Sequence, residues 1–222
     1  DLPGATDEAR AVASATSGHA QILAGASNLK QFVSTGNLRG VPLLHFATHA
    51  VADSADPDRS RLVFTSPDPV RPYDFLFARE VAALNLSSTL IVTLAACDTE
   101  VGQSVAGEGI QGLSRAFLGA GAGSTVSTLW RISDRPAAGF MRTFYSALDS
   151  GQSVSGALRE AKLEYRRSAG PLGHPRYWAA YVLNGDAAAR TPRSTLFPAL
   201  AALAAAVLAL PWCAYRLRKA AK

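Results

Sequence analysis

"LIVTLAACDTE", residues 90–100, is an unbroken apolar run that stops at a cysteine followed by an aspartate. Short apolar runs bounded by small or polar residues suit strands buried on both faces of a parallel sheet. A strand is therefore predicted over 90–95, with Cys97 just past its carboxyl end. An upstream counterpart, "PLLHFATH" at 42–49, predicts a second strand over 43–48 that His49 closes. In open parallel sheets, sites form where the carboxyl ends of strands meet loops. If these two strands are neighbours, an imidazole and a thiol overhang one rim of the sheet, the arrangement that cysteine-nucleophile catalysis requires.

Outward from this pair, apolar strand-like runs alternate with helical patterns. Residues 124–130 and 177–183 repeat the strand theme. Between the runs at 90–95 and 124–130, 108–121 carries Ile110, Leu113, Phe117 and Leu118 at helical spacing and ends in "GAGAG", which stops a helix and turns into the next strand. That reads as a right-handed strand–helix–strand crossover. Helices are also predicted over 135–148, with Asp134 as cap and Pro136 in the opening turn, over 154–167, and, shorter, over 78–84. "DSADPDRS" and "TSPDPVRPYD" read as loops around a short strand at 61–64. The expected fold class is α/β, a three-layer sandwich with a mainly parallel sheet, occupying residues 1–188.

A linker at 189–194 leads into "TLFPALAALAAAVLALPWCAY", 195–215, which has no charged residue and is followed by the basic tail 216–222. Length and flanks predict a C-terminal transmembrane helix and a single-pass membrane anchor, with Pro211 kinking its last turn beside Trp212 and Tyr215. Arg216, Arg218, Lys219 and Lys222 outnumber Arg190 and Arg193, so the positive-inside rule would leave the tail in the cytoplasm and the folded domain outside. The side remains open, because the chain begins at Asp1 without an initiating Met and reads as a piece of something longer.

The 22 Lys and Arg against 17 Asp and Glu give a net charge of +5, but the excess crowds the C-terminus and forms no basic stripe interleaved with aromatics. Nucleic acid is accordingly not an expected partner. Only Cys97 and Cys213 occur, too few for a disulfide framework or a four-cysteine zinc site. No phosphate-binding loop or nucleophile elbow is present, and no metal or organic cofactor is implied. A lone cysteine in apolar surroundings is commonly a small buried hydrophobe, and an isolated histidine commonly structural. His49 and Cys97 gain weight from their matching positions and their spacing of 48 residues, close to the interval of about 50 that separates the reactive pair in caspases. His45 lies mid-strand and is assigned to the core or to support of the site; His174 in "GHPRYW" reads as loop structure, and His19 has no evident partner.

Four ordered blocks, "LLHFATHA", "LIVTLAACDTE", "GEGIQGLSRAFLGAGAGSTVSTLWRISD" and "HPRYWAAYVLNGD", resemble the CHAT family, caspase-like domains commonly joined to tetratricopeptide repeats. The opening "DLPGATDEARAV" and "ILAGASNLKQF" extend the resemblance to about residues 1–186. It implies a domain of a larger, bacterial regulatory protein, restrained until an upstream domain or partner rearranges its loops. It also implies a cysteine endopeptidase acting on a protein or peptide substrate through a His49/Cys97 dyad. Cys97 would attack the scissile carbonyl as thiolate, His49 would move the proton from thiol to leaving amine, and the backbone N–H groups of Ala50 and Cys97 would hold the oxyanion.

Relatives usually carry Gly where this chain has Ala50, and often Gly where it has Glu100. Asp98, Glu100, Glu108 and Asp53 suggest an acidic cleft preferring Lys or Arg before the cut, or else solvated and capping carboxylates. Trp130 is a candidate wall of the substrate-binding pocket, or core. Two other readings stay open: a catalytically inactive caspase-like scaffold that binds partners, and a small-molecule hydrolase using Cys97.

Overall fold

A computed structural model describes residues 3–16, 20–23, 29–35, 38–53, 55–66, 68–95, 108–130, 132–168 and 170–191. By internal contacts the chain divides into two units, 1–191 and 192–222, and the fold below is that of the first.

Its centre is the strand that opened the sequence reading. β5 (Ile91–Leu94) is buried at every position, as an apolar run should be when it is covered on both faces. It lies between β1 (Leu43–Phe46) and β6 (Ser124–Thr128), parallel to both, and β7 (Tyr181–Gly185) closes the order β1-β5-β6-β7 antiparallel to β6. Helix α4 (Glu108–Gly119) connects β5 to β6. Its last turn gives way at Gly121, whose φ of +103° is the left-handed backbone that favours glycine.

A second, three-stranded antiparallel sheet, β2 (His49–Val51), β3 (Arg61–Thr65) and β4 (Tyr73–Phe77), packs on one side of the first. Its inner face shares one core with β1, β5 and the short helices α2 (Leu29–Ser34) and α3 (Ala78–Val81): Ala50, Leu62, Phe64 and Leu76 meet Leu44, Val92, Leu94 and Phe117. The opposite face of the four-stranded sheet is covered by α1 (Pro3–Ala15), α5 (Asp134–Asp149) and α6 (Val154–Arg167). In that layer the rings of Phe140 and Tyr181 stack with centroids 3.8 Å apart. α6 shows why these segments are helical: Val154, Ala157, Leu158, Ala161 and Tyr165 recur on one buried face. Ser153 caps the first turn by accepting from the Gly156 N–H, and Arg166 and Arg167 face the negative end of the helix.

Two expectations are corrected. The architecture is mixed rather than a single mainly parallel sheet: β7 runs antiparallel, and the segment downstream of β1 leaves to build a separate antiparallel sheet. The expected transmembrane helix, and the single-pass membrane localisation drawn from it, are not upheld, because no helix among the described residues is long and apolar enough to cross a membrane. The longest, α5, has 16 residues and spans about 24 Å, short of the roughly 30 Å hydrocarbon core, and one of its faces belongs to the domain core. Residues 195–215, which carried the expectation, lie outside the described residues.

Smaller differences have local causes. Ser133, not Asp134, occupies the N-cap position of α5. The last strand starts at Tyr181 because Pro175–Tyr177 form a 3₁₀ turn, capped by His174 Nδ1 accepting from the Arg176 N–H at 3.2 Å.

Gly185 sits in β7 with φ +95°, and a Cβ there would meet the Gly123 carbonyl oxygen and lie 2.9 Å from Leu118 Cδ2. Gly185→Ala is expected to cost about 1–3 kcal/mol in urea unfolding. Gly119→Ala, where an added Cβ meets nothing within 4 Å, is expected to raise stability by about 0.4–1 kcal/mol.

Candidate active site

The two strands of interest are neighbours. β1 and β5 pair in parallel with Leu43 opposite Ile91 and Phe46 opposite Leu94, a constant offset of 48 residues. The Ala95 N–H donates to the Phe46 carbonyl at 3.1 Å, extending the ladder one step past the strand ends. His49 and Cys97 are also separated by 48 residues, and each stands three residues beyond the paired ends Phe46 and Leu94. Cys97 and Asp98 lie outside the described residues, as does Glu100.

Upstream of this rim the strands are tied together by a buried polar chain that sequence reading missed. His45 and Thr93 are register partners, and both reach the hydroxyl of Tyr145 from α5, at 3.2 Å from His45 Nδ1 and 2.8 Å from Thr93 Oγ1. On the far side of the imidazole, Nε2 stands 3.2 Å from Glu8 Oε1 of α1, and both side chains are almost wholly buried. That contact is close but off-line, for neither atom reaches a partner in hydrogen-bonding geometry. The Tyr145 hydroxyl thus bridges Thr93 Oγ1 and His45 Nδ1, and the other ring nitrogen faces the carboxylate. Burial raises the Tyr145 phenol far above its ordinary range; the Thr93 hydrogen bond pulls the other way, and the Glu8 charge pushes up again. It therefore stays protonated and neutral. His45, assigned from sequence to core or support, is the buried link between α1 and α5.

His49 has left the large sheet. After Phe46 the chain turns, the Thr48 hydroxyl donates to the Val63 carbonyl, and His49 opens β2 opposite Val63, which is itself opposite Phe75. Directly paired residues point to one side of a sheet. His49, Val63 and Phe75 thus share the outer face, while Ala50, Leu62 and Leu76 share the buried one. Ala50 occupies a strand, where extended backbone suits any residue, so replacement of glycine brings no left-handed strain there.

Glu108 is the first residue of α4. Trp130 follows β6, 38% exposed and so not core, its indole N–H donating to the Arg176 carbonyl at 2.8 Å. Asp53 behaves as a turn residue, accepting from the N–H groups of Ala55 and Asp56 and pairing with Arg59 at 3.7 Å. His19 lies outside the described residues. Among the described residues no group of three or more His, Cys, Asp or Glu could hold a metal ion.

The CHAT domain profile matches residues 1–186, the whole of the first unit apart from its last few residues. The chain belongs to the CHAT family. It is also similar to tetratricopeptide repeat protein 28 of Homo sapiens, 29% identical over 90% of this chain and 9% of the relative. The Mus musculus protein of the same name is 33% identical over 56% of this chain and 5% of its own length. This CHAT chain therefore spans less than a tenth of the curated relatives it matches.

The Tyr145 hydroxyl is the hinge of the buried chain, and Tyr145→Phe removes it without changing ring volume. The substitution strands His45 Nδ1 and Thr93 Oγ1, and is expected to cost about 1–3 kcal/mol in chemical denaturation. Combining it with Thr93→Val should restore part of that loss, because both ends of one hydrogen bond are then apolar.

Proposed function

We propose that this CHAT domain is a caspase-like cysteine endopeptidase with His49 and Cys97 as its working dyad. The observation that supports the proposal is the register: β5 pairs with β1 at an offset of 48 residues, and His49 and Cys97 are separated in sequence by the same 48 residues. Adjacent strands lie about 4.8 Å apart, so chains leaving paired positions in step begin within reach of one another.

In this reading Cys97 Sγ, as thiolate, adds to the scissile carbonyl carbon. The thiol proton passes to His49 and from there to the amine as the carbon–nitrogen bond breaks. The N–H groups of Ala50 and Cys97 hold the oxyanion, and water then cleaves the thioester. Asp98 and Glu108 supply the negative side of a substrate cleft that accepts Lys or Arg before the cut, with Trp130 as its wall. The substrate is a protein or peptide, and tetratricopeptide repeats, which the relatives carry in their names, are the proposed source of partner recognition.

A peptidyl chloromethyl ketone should label the wild-type chain at Cys97 and leave Cys97→Ala unlabelled. His49→Ala should lower the labelling rate and kcat/KM for a cleaved peptide by about 10²–10⁴. A folded wild-type chain that neither labels nor cleaves overturns the proposal in favour of a binding scaffold.

A further inference from the structure

The small sheet leaves an outer face whose composition the dyad does not explain. It carries Val63, Phe75, Phe77 and Tyr73 beside His49 and Val51, with Arg61 in the same layer. Tyr73 is 60% and Phe75 36% exposed, and Val70 at the tip of the β3–β4 hairpin is 85% exposed. Two guanidinium groups lie over this aromatic surface. Arg61 Cζ stands 5.2 Å from the Phe75 centroid and 5.9 Å from that of Phe77, and Arg79 Cζ stands 4.4 Å from Phe77. Stacking fixes each planar fork while leaving its N–H edge available for a carboxylate. Among the described residues no carboxylate forms an ion pair with either arginine. The adjacent acid, Glu80, is engaged by Lys30 at 3.0 Å and by the Phe77 N–H at 2.8 Å. The only polar contact described for Arg61 is a long one, 3.4 Å, to the Arg59 carbonyl.

We propose that this face is a docking surface for a segment of the protein substrate in which acidic residues alternate with apolar ones. Charge complementarity selects that occupant. The aromatic rings supply the apolar contact, and Arg61 and Arg79 supply bidentate partners for Asp or Glu. Continuity with the site gives the docking a purpose, since Phe75 lies two strand spacings, about 10 Å, from His49 across Val63. A segment held there delivers the adjoining chain to the imidazole side of the rim. The inference rests on the peptidase reading for what happens next, but not for the binding itself.

The test measures binding by fluorescence anisotropy to the Cys97→Ala chain, using a short fluorescein-labelled peptide that alternates Glu with Leu and Phe. Saturable binding is expected, weakened about tenfold or more by the double change Arg61→Glu and Arg79→Glu, and weakened by added salt. A counterpart peptide with Lys in place of Glu should bind at least about tenfold more weakly. If the charge reversal lowers the melting temperature, Arg79→Gln alone, at an exposed helix start, is used and should still weaken binding. Equal binding of the lysine peptide, or indifference of a folded variant to loss of the guanidinium, overturns the proposal. Binding to phosphatidylserine vesicles without binding of the peptide also overturns it. Because the measurement needs no thiol, peptide binding without labelling of the wild type removes the peptidase reading alone. Labelling without peptide binding removes the docking surface alone.

Discussion

The parallel pairing of β1 with β5 is the constraint on which the remaining structure depends. Its ladder sets the offset between the two chain exits, and its two faces divide the domain into layers. On one face Leu44, Val92 and Leu94 join the core beneath the small sheet; on the other Ile91 joins the layer of α1, α5 and α6. A slip of one residue would turn every side chain of a strand to the wrong layer. The pairing of His45 with Thr93 through the Tyr145 hydroxyl adds a second, side-chain lock on the same register. This lock is buried, so its loss is more damaging than that of a surface hydrogen bond, because no water replaces the missing partner.

Much of the fold was legible because its signals are local. The apolar run before Cys97, the periodic face of 154–167 and the glycine-rich stop after α4 each depend on near neighbours in sequence, and helix α6 spans the predicted residues Val154–Arg167. β4 was hidden because Pro and Asp run up to its first residues, and the hairpin loop was extended over them. Asp68 belongs to that turn, accepting from the Val70 N–H, but nothing in the turn shows where pairing resumes at Tyr73. The separate small sheet was missed for a related reason. "LLHFATHA" reads as one strand, and the break between Phe46 and His49 follows from tertiary pairing with β3 rather than from any breaker residue.

The strand pairing behind the proposed site was legible in outline, and the buried polar chain that supports it was not. The spacing of 48 residues could be read from sequence, but its meaning as a strand register appears only when the ladder is seen. Glu8 and Tyr145 gave no sequence signal, because each is remote from His45 and sits on an otherwise ordinary amphipathic helix. The uncharged stretch 195–215, which carried the transmembrane expectation, lies outside the described residues, and no helix among the described residues is long and apolar enough to cross a membrane.

The departure of His49 from the large sheet could have left the imidazole poorly positioned, were the two sheets joined only by a flexible turn. They are joined by shared packing instead. Phe46, the last residue of β1, sets its ring 6.5 Å from that of Phe64 in β3 and 5.4 Å from that of Phe117 in α4. Thr48 then bonds to the Val63 carbonyl, and Ala50 is sealed beneath Leu62. Each step from the end of β1 to the start of β2 is therefore held by a packing or hydrogen-bond contact to the small sheet. The same packing ties β3 and β4 to β5, because Leu62, Phe64 and Leu76 share one core with Val92 and Leu94. A segment seated on the outer face of the small sheet, as proposed, would therefore bear on a body packed against both strands of the β1–β5 pair rather than on a loose flap.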